Sequence, residues 1–108
     1  MSIEGSKLQD WQYTDDSVYH LRLFVTGASS ISRRAINNLQ QLLELHLKDR
    51  YELEIIDIHQ QPLIVKQENV FAVPLLIKKF PLPGRRLVGD MSDTPKVLKG
   101  LGIITNNF

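Results

Sequence analysis

The chain has 108 residues, 43% hydrophobic and 23% charged, which suits one compact domain with a single core. It has no cysteine, which removes disulfides, thiolate nucleophiles, redox dithiols and thiolate metal sites together. The net charge of +1 is unevenly divided: in residues 1–18 Lys7 stands alone against Glu4, Asp10, Asp15 and Asp16, a balance of −3, leaving +4 on residues 19–108.

Residues 1–18 show no apolar period and read as a flexible or loosely docked extension, in which Trp11 is the largest apolar side chain. Their opening, MSIEGSKLQDWQ, lacks the charged-then-apolar layout of a secretory signal. The chain also has no run of about 18 apolar residues, so no membrane contact and a cytoplasmic location are expected. Residues 19–108 read as the folded domain.

Tyr19, Leu21, Leu23 and Val25 alternate with His20 and Arg22 in a half-buried first strand. A small-residue turn, Thr26 to Ser30, follows. Ile31, Ala35, Ile36, Leu39, Leu42, Leu43 and Leu47 then keep helical spacing, with Ser30 as the expected N-cap. A second strand spans Tyr51 to Ile58, and a long helix between two strands predicts a parallel pair with a right-handed crossover. Pro62 starts a short helix over Gln61 to Asn69. Two strands follow, Leu75 to Lys79 and Arg85 to Val88, and Asp93 caps a last helix that Pro95 opens and Gly100 interrupts near its end. The order β-α-β-α-β-β-α predicts an α/β fold of thioredoxin-like type, a four-stranded mixed sheet with helices on both faces.

In a redox enzyme of that fold the first turn would carry a Cys-x-x-Cys pair, where the helix N-terminus lowers a thiol pKa. Here it reads GASSISRR. Serine cannot replace a thiolate, and no neighbouring histidine or acid forms an activating dyad, so no enzyme activity and no catalytic residue are expected. The turn lacks the Gly-Lys-Ser/Thr ending of a phosphate-binding loop, and no cofactor is expected. His20, His46 and His59 are too dispersed to form a metal motif. A nucleic-acid partner is not expected either, since the basic balance is mild and few aromatics lie near the cations.

The segment Val70 to Asp93, VFAVPLLIKKFPLPGRRLVGDMSD, is the most unusual. It places Pro74, Pro81 and Pro83 in a hairpin, and an X-Pro bond has a cis form only about 0.5–1 kcal/mol above trans, so conformational alternatives are expected there. Lys78, Lys79, Arg85 and Arg86 flank the proline turn with no acid between Glu68 and Asp90, which reads as a cationic surface or as an edge strand protected by its lysines. Arg33 and Arg34 lie in the first turn of the first helix, where a cation opposes the helix dipole.

From Tyr19 to Ile103 the chain resembles the KaiB family, small thioredoxin-like proteins of the cyanobacterial clock and their relatives. The likeness rests on YHLRLFVTG, SRRAINNLQQLLE, YELEIIDI with Pro62 after it, AVPLLIKKFPLPGRRLVGDMSD and KVLKGL. It implies an adaptor without chemistry that binds the ATPase ring of a KaiC-type hexamer, in clock systems with a KaiA-like protein captured, and that modulates clock, stress or signalling output. A homodimer or tetramer is implied for the unbound state, with an alternative ground-state fold that rearranges the C-terminal half. By the same likeness Arg34, Lys78, Arg85 and Arg86 are the partner-binding positions, and Pro74, Pro81, Pro83, Gly100 and Gly102 are the conformational ones. The second reading is a thioredoxin-like sensor or recruitment module, working with a sensor kinase and without fold switching.

The chain departs from clock members at three places. It has Pro81, Leu82 and Pro83 for three successive prolines, Glu54 and Asn69 for two lysines, and Gly100, Leu101 and Gly102 for Gly-x-Asp. The second change alters local charge by about three units, and glycine at 102 is expected to cost about 1 kcal/mol of helix propensity.

Overall fold

Alternation along the first strand puts Tyr19, Leu21, Leu23 and Val25 on one face, and Phe24, where the alternation breaks, gives the opposite face an apolar anchor too. A computed structural model describes residues 17–103. Within them lie β1 (Tyr19–Val25), α1 (Ser30–His46), β2 (Tyr51–Asp57), α2 (Pro62–Gln67), β3 (Leu75–Phe80), β4 (Arg85–Val88) and α3 (Thr94–Leu101), the order expected from the sequence. The expectation of a flexible or docked extension falls on residues 1–16, which lie outside the described part.

The sheet order is β2-β1-β3-β4, with β1 parallel to β2 and antiparallel to β3, and β4 antiparallel to β3. On one face Leu21, Leu23 and Val25 of β1 and Leu76 of β3 pack on α1 through Ala35, Leu39 and Leu43, and on α3 through Val97, Leu98 and Leu101. On the other face Phe24, Ile56, Leu75 and Ile77 form a smaller core beneath Ile64 and Val65 of α2. Residues of opposite parity on β1 therefore anchor separate cores, as a period of two requires.

The element ends are set locally. Ser29, not Ser30, caps α1: its Oγ accepts from the Ser32 amide at 3.2 Å. The Ser32 hydroxyl, fully buried, accepts from the Thr26 amide at 3.0 Å and closes the β1–α1 turn. α2 stops at Gln67, short of the expected Asn69, because Asn69 adopts a positive φ of 56° that no helix continues through. Asp93 caps α3, as expected, by accepting from the Lys96 amide at 3.2 Å.

Two glycines behave differently from expectation. Gly100 does not interrupt α3 but lies within it, pressed on β4: a Cβ there would stand 2.7 Å from a methyl of Leu87. Gly102 lies beyond α3 as its left-handed cap, with φ of 78°, so the expected helix-propensity cost does not arise and glycine is the favoured residue.

Leu39→Ala, which empties a fully buried site between α1 and the sheet, is expected to lower unfolding free energy by about 2–5 kcal/mol in urea titration. A domain of this size has about 5–15 kcal/mol in total, so the variant should be marginally folded.

Candidate functional site

Alternation also divides the hairpin cations. In the β3–β4 register Lys78 pairs with Arg85 and Ile77 with Arg86, so Lys78 and Arg85 share the face covered by α1 and α3, whereas Arg86 lies on the α2 face. Lys79 reaches that second face too. It is the extra residue where the β1–β3 register shifts between His20–Phe80 and Leu21–Lys78.

Lys78 departs from the reading of a cationic surface: it is only 4% exposed. Its Nζ donates to the Leu101 carbonyl at the end of α3, at 3.3 Å, and stands 5.9 Å from the Tyr19 ring centre. Burial, helped by the charge of Arg85, pushes its ammonium pKa down. Arg85 is exposed, and among the described residues its guanidinium meets only the Gly84 carbonyl, at 3.3 Å. It is the hairpin cation most available to a partner.

On the α2 face the cations are tied down by an acid that the sequence reading passed over. Glu68, just after α2, accepts from Arg22 Nη1 of β1 at 2.7 Å and from Lys79 Nζ of β3 at 2.8 Å, with its own side chain 13% exposed. Arg86 donates to the Glu68 and Asn69 carbonyls, and Arg22 Nε reaches Glu54 at 2.9 Å. The Lys79 hydrogen bond, against a desolvation cost and with the charges of Lys79, Arg22 and Arg86, holds the Glu68 carboxyl below the usual range. Glu54 is thus part of a ladder of alternating charge and not a free anion.

Arg34 stands apart from the hairpin tip. Its Nε lies 3.6 Å from Asp90 Oδ2, past the end of β4 opposite Arg85, and the Asn38 side chain donates to the Asp90 carbonyl at 2.9 Å. Hydrogen bonds from Ser92, with Arg34 adding its charge, hold the Asp90 carboxyl down. The four expected partner residues therefore occupy three places: Arg85 beside buried Lys78, Arg86 across the sheet, and Arg34 on α1.

All three hairpin X-Pro bonds, Val73-Pro74, Phe80-Pro81 and Leu82-Pro83, are cis. Pro74 is fully buried, and its carbonyl accepts from the Gly89 amide at 3.0 Å. Pro83 and Leu82 are exposed at the turn. The serines of GASSISRR spend two hydroxyls on backbone amides, at Ser29 and Ser32, and Arg33 turns back to the Ala28 carbonyl. Among the described residues no group of three His, Cys, Asp or Glu side chains could hold a metal ion, and no helix is long and apolar enough to cross a membrane.

A mixed four-stranded sheet of this order, with helices on both faces, defines a thioredoxin-like domain. Solved structures agree in fold: the N-terminal domain of Synechococcus elongatus SasA superposes with a TM-score of 0.65 at 22% identity, covering 85% of this chain and 90% of that one. Mitochondrial thioredoxin 3 of Saccharomyces cerevisiae gives 0.65 at 14% identity, covering 88% of each. Within that class, the chain belongs to the KaiB family: the KaiB domain model matches residues 22–103. The circadian clock protein KaiB3 of Synechocystis sp. is 45% identical over 84 residues, 78% of this chain and 82% of that protein. The circadian clock oscillator protein KaiB of Synechococcus elongatus is 40% identical over 86 residues, 80% and 84% of the two chains. The family is one of clock proteins, and the resemblance read from the sequence is borne out.

Glu68→Gln is expected to cost about 1.5–3 kcal/mol, the range for hydrogen bonds to charged groups. Its pH signature follows from a depressed carboxyl pKa. The stabilisation is present above the unfolded value, near 4.5, and is lost as pH falls through the lower folded value. Urea midpoints from pH 7 to 2 should show the variant and parent converging below pH 4.5, whereas a constant difference would deny the carboxylate its part.

Proposed function

We propose that this protein is a non-enzymatic KaiB-like adaptor that docks, in its thioredoxin-like form, on the ATPase ring of a KaiC-type hexamer. The observation that carries this reading is the KaiB family match over residues 22–103, joined to a fold shared with the N-terminal domain of SasA. The output modulated is clock, stress or signalling, and a dimer or tetramer is the proposed unbound state.

The proposed contact centres on the outer end of the β3–β4 hairpin. Arg85 is exposed and pairs with no acid among the described residues, so an acidic partner face can engage it without first breaking one of their ion pairs. Arg86 and Arg34 contribute through charge at the cost of loosening contacts to Glu68 and Asp90. Lys78 acts from beneath, holding the end of α3 and raising the local potential. Pull-down with a KaiC-type hexamer, with and without ATP, tests the proposal, and absence of binding in every nucleotide state removes it. Arg85→Ala is expected to weaken binding by about tenfold, or about 1.4 kcal/mol, with a shallower salt dependence. Because Arg85 meets only its neighbour's carbonyl, the urea midpoint of that variant should stay with the parent's.

A second reading is favoured by the fold itself. A module held in the thioredoxin-like form, with Pro74 buried and Gly100 fitted against Leu87, can recruit a sensor kinase or a KaiA-like protein without refolding. Amide spectra of the isolated protein separate the two readings. Two slowly exchanging peak sets for residues beyond 58 would establish an alternative fold of the C-terminal half, and one set matching the seven elements would leave a fixed adaptor.

A further inference from the structure

A groove of about 1020 Å³ opens on the α1 and α3 face, away from the Glu68 ladder. Its floor and walls are Tyr19, Leu47, Phe80, Pro81, Leu82, Leu101 and Ile103, and its polar lining is basic: His46 from the last turn of α1, Arg50 after it, and Lys78. No carboxylate is among its lining residues. Among the described residues, buried Arg50 Nε has no hydrogen-bond partner, and Lys78 has only one carbonyl and the Tyr19 ring. A buried donor without an acceptor is destabilising, so this groove is chemically incomplete and suits an apolar group joined to carboxylates.

Ser17, the first described residue, lines the same groove. In sequence the sixteen residues before it carry Asp15 and Asp16 immediately, Trp11 next, and Asp10 and Glu4 beyond, against Lys7 alone. Six residues of extended chain reach about 20 Å, so Trp11 can lie anywhere along a groove that begins at Ser17. Phe80 is 44% exposed and Leu82 77% exposed, apolar surface of the kind an indole covers. Charge, apolar character and the point of entry all match.

We propose that the N-terminal segment, residues 1–16, docks on its own domain in this groove, with Asp15 and Asp16 facing Arg50 and Lys78 and with Trp11 over Phe80 and Leu82. The tether raises the effective concentration of the segment, so weak contacts suffice. The segment lies outside the KaiB match at residues 22–103, so its docking is a property of this chain and stands without the partner reading. Covering the groove also places acidic chain beside Arg85, which shares the Lys78 face.

The only tryptophan of the protein is Trp11, so intrinsic fluorescence reports on this segment alone. In the full chain Trp11 emission is expected to be blue-shifted, and several-fold less quenched by acrylamide, relative to a free peptide of residues 1–16. Arg50→Gln and Leu82→Ser, singly, should each move both signals toward the peptide values, with far-UV circular dichroism confirming the fold. Leu82→Ser alters an exposed turn position and keeps the test valid should Arg50→Gln fail to fold. Asp15→Asn with Asp16→Asn should act in the same direction, as should added salt. Trp11 quenched as in the free peptide overturns the proposal. Shielding that ignores both groove variants, or that appears only as protein concentration rises and so places the segment on a second copy, overturns it as well.

Discussion

The period of two along β1 and β3 is the constraint on which the rest depends. β1 is an inner strand, between β2 and β3, so its odd residues must bury on α1 and α3 and its even residues must find partners on the α2 side. A one-residue slip would exchange the two sets and bring Arg22 into the larger core, where no acid waits. The β1–β3 pairing keeps its phase in the core and absorbs the mismatch at Lys79, near the edge, where a bulge costs least. The same rule sorts the cations, so a cluster contiguous in sequence is not contiguous in space.

Belonging to the KaiB family and sharing a sheet with thioredoxins, the chain shows how a redox scaffold is kept without its chemistry. The turn between β1 and α1 is where a thiol would sit. Here Ser29 and Ser32 use that place for capping and for fastening Thr26, so the hydroxyls are acceptors to amides and not nucleophiles. What remains is a four-stranded sheet with the β3–β4 hairpin at one side of it. Under the docking reading proposed above, a contact surface already formed in the folded sheet limits the ordering cost of binding.

Most of the architecture was legible because each element carries its own signal. β1 reads from alternation alone, α1 from its long apolar stripe, and α3 from Asp93 and Pro95, while α2 needed Pro62 and was overextended because nothing in the composition announces a left-handed Asn69. The site was less legible. Arg85 was correctly read as an exposed cation, but Lys78 and Lys79 look alike in a string, and only their opposite phases reveal that one is buried and the other paired. Counting parity from Leu76, which faces the larger core, would have found this. Glu68 had no such signal, because its partners Arg22 and Lys79 are brought to it by tertiary packing across three elements. Gly102 was misjudged for the related reason that helix propensity was applied one residue beyond the helix.

The short helix α2 buries none of its six residues, yet it roofs the smaller core. Its attachment relies on Ile64 and Val65 below and on the carboxylate of Glu68 at its exit, which bridges two strands. The two faces of the sheet are therefore unequal in cooperativity. The α1 and α3 side holds the larger core, whereas the α2 side covers the smaller one, over Phe24 and Ile77, so local opening is expected to begin on the α2 side. The domain is asymmetric in the way it comes apart, with its weak seam on the side away from the basic groove.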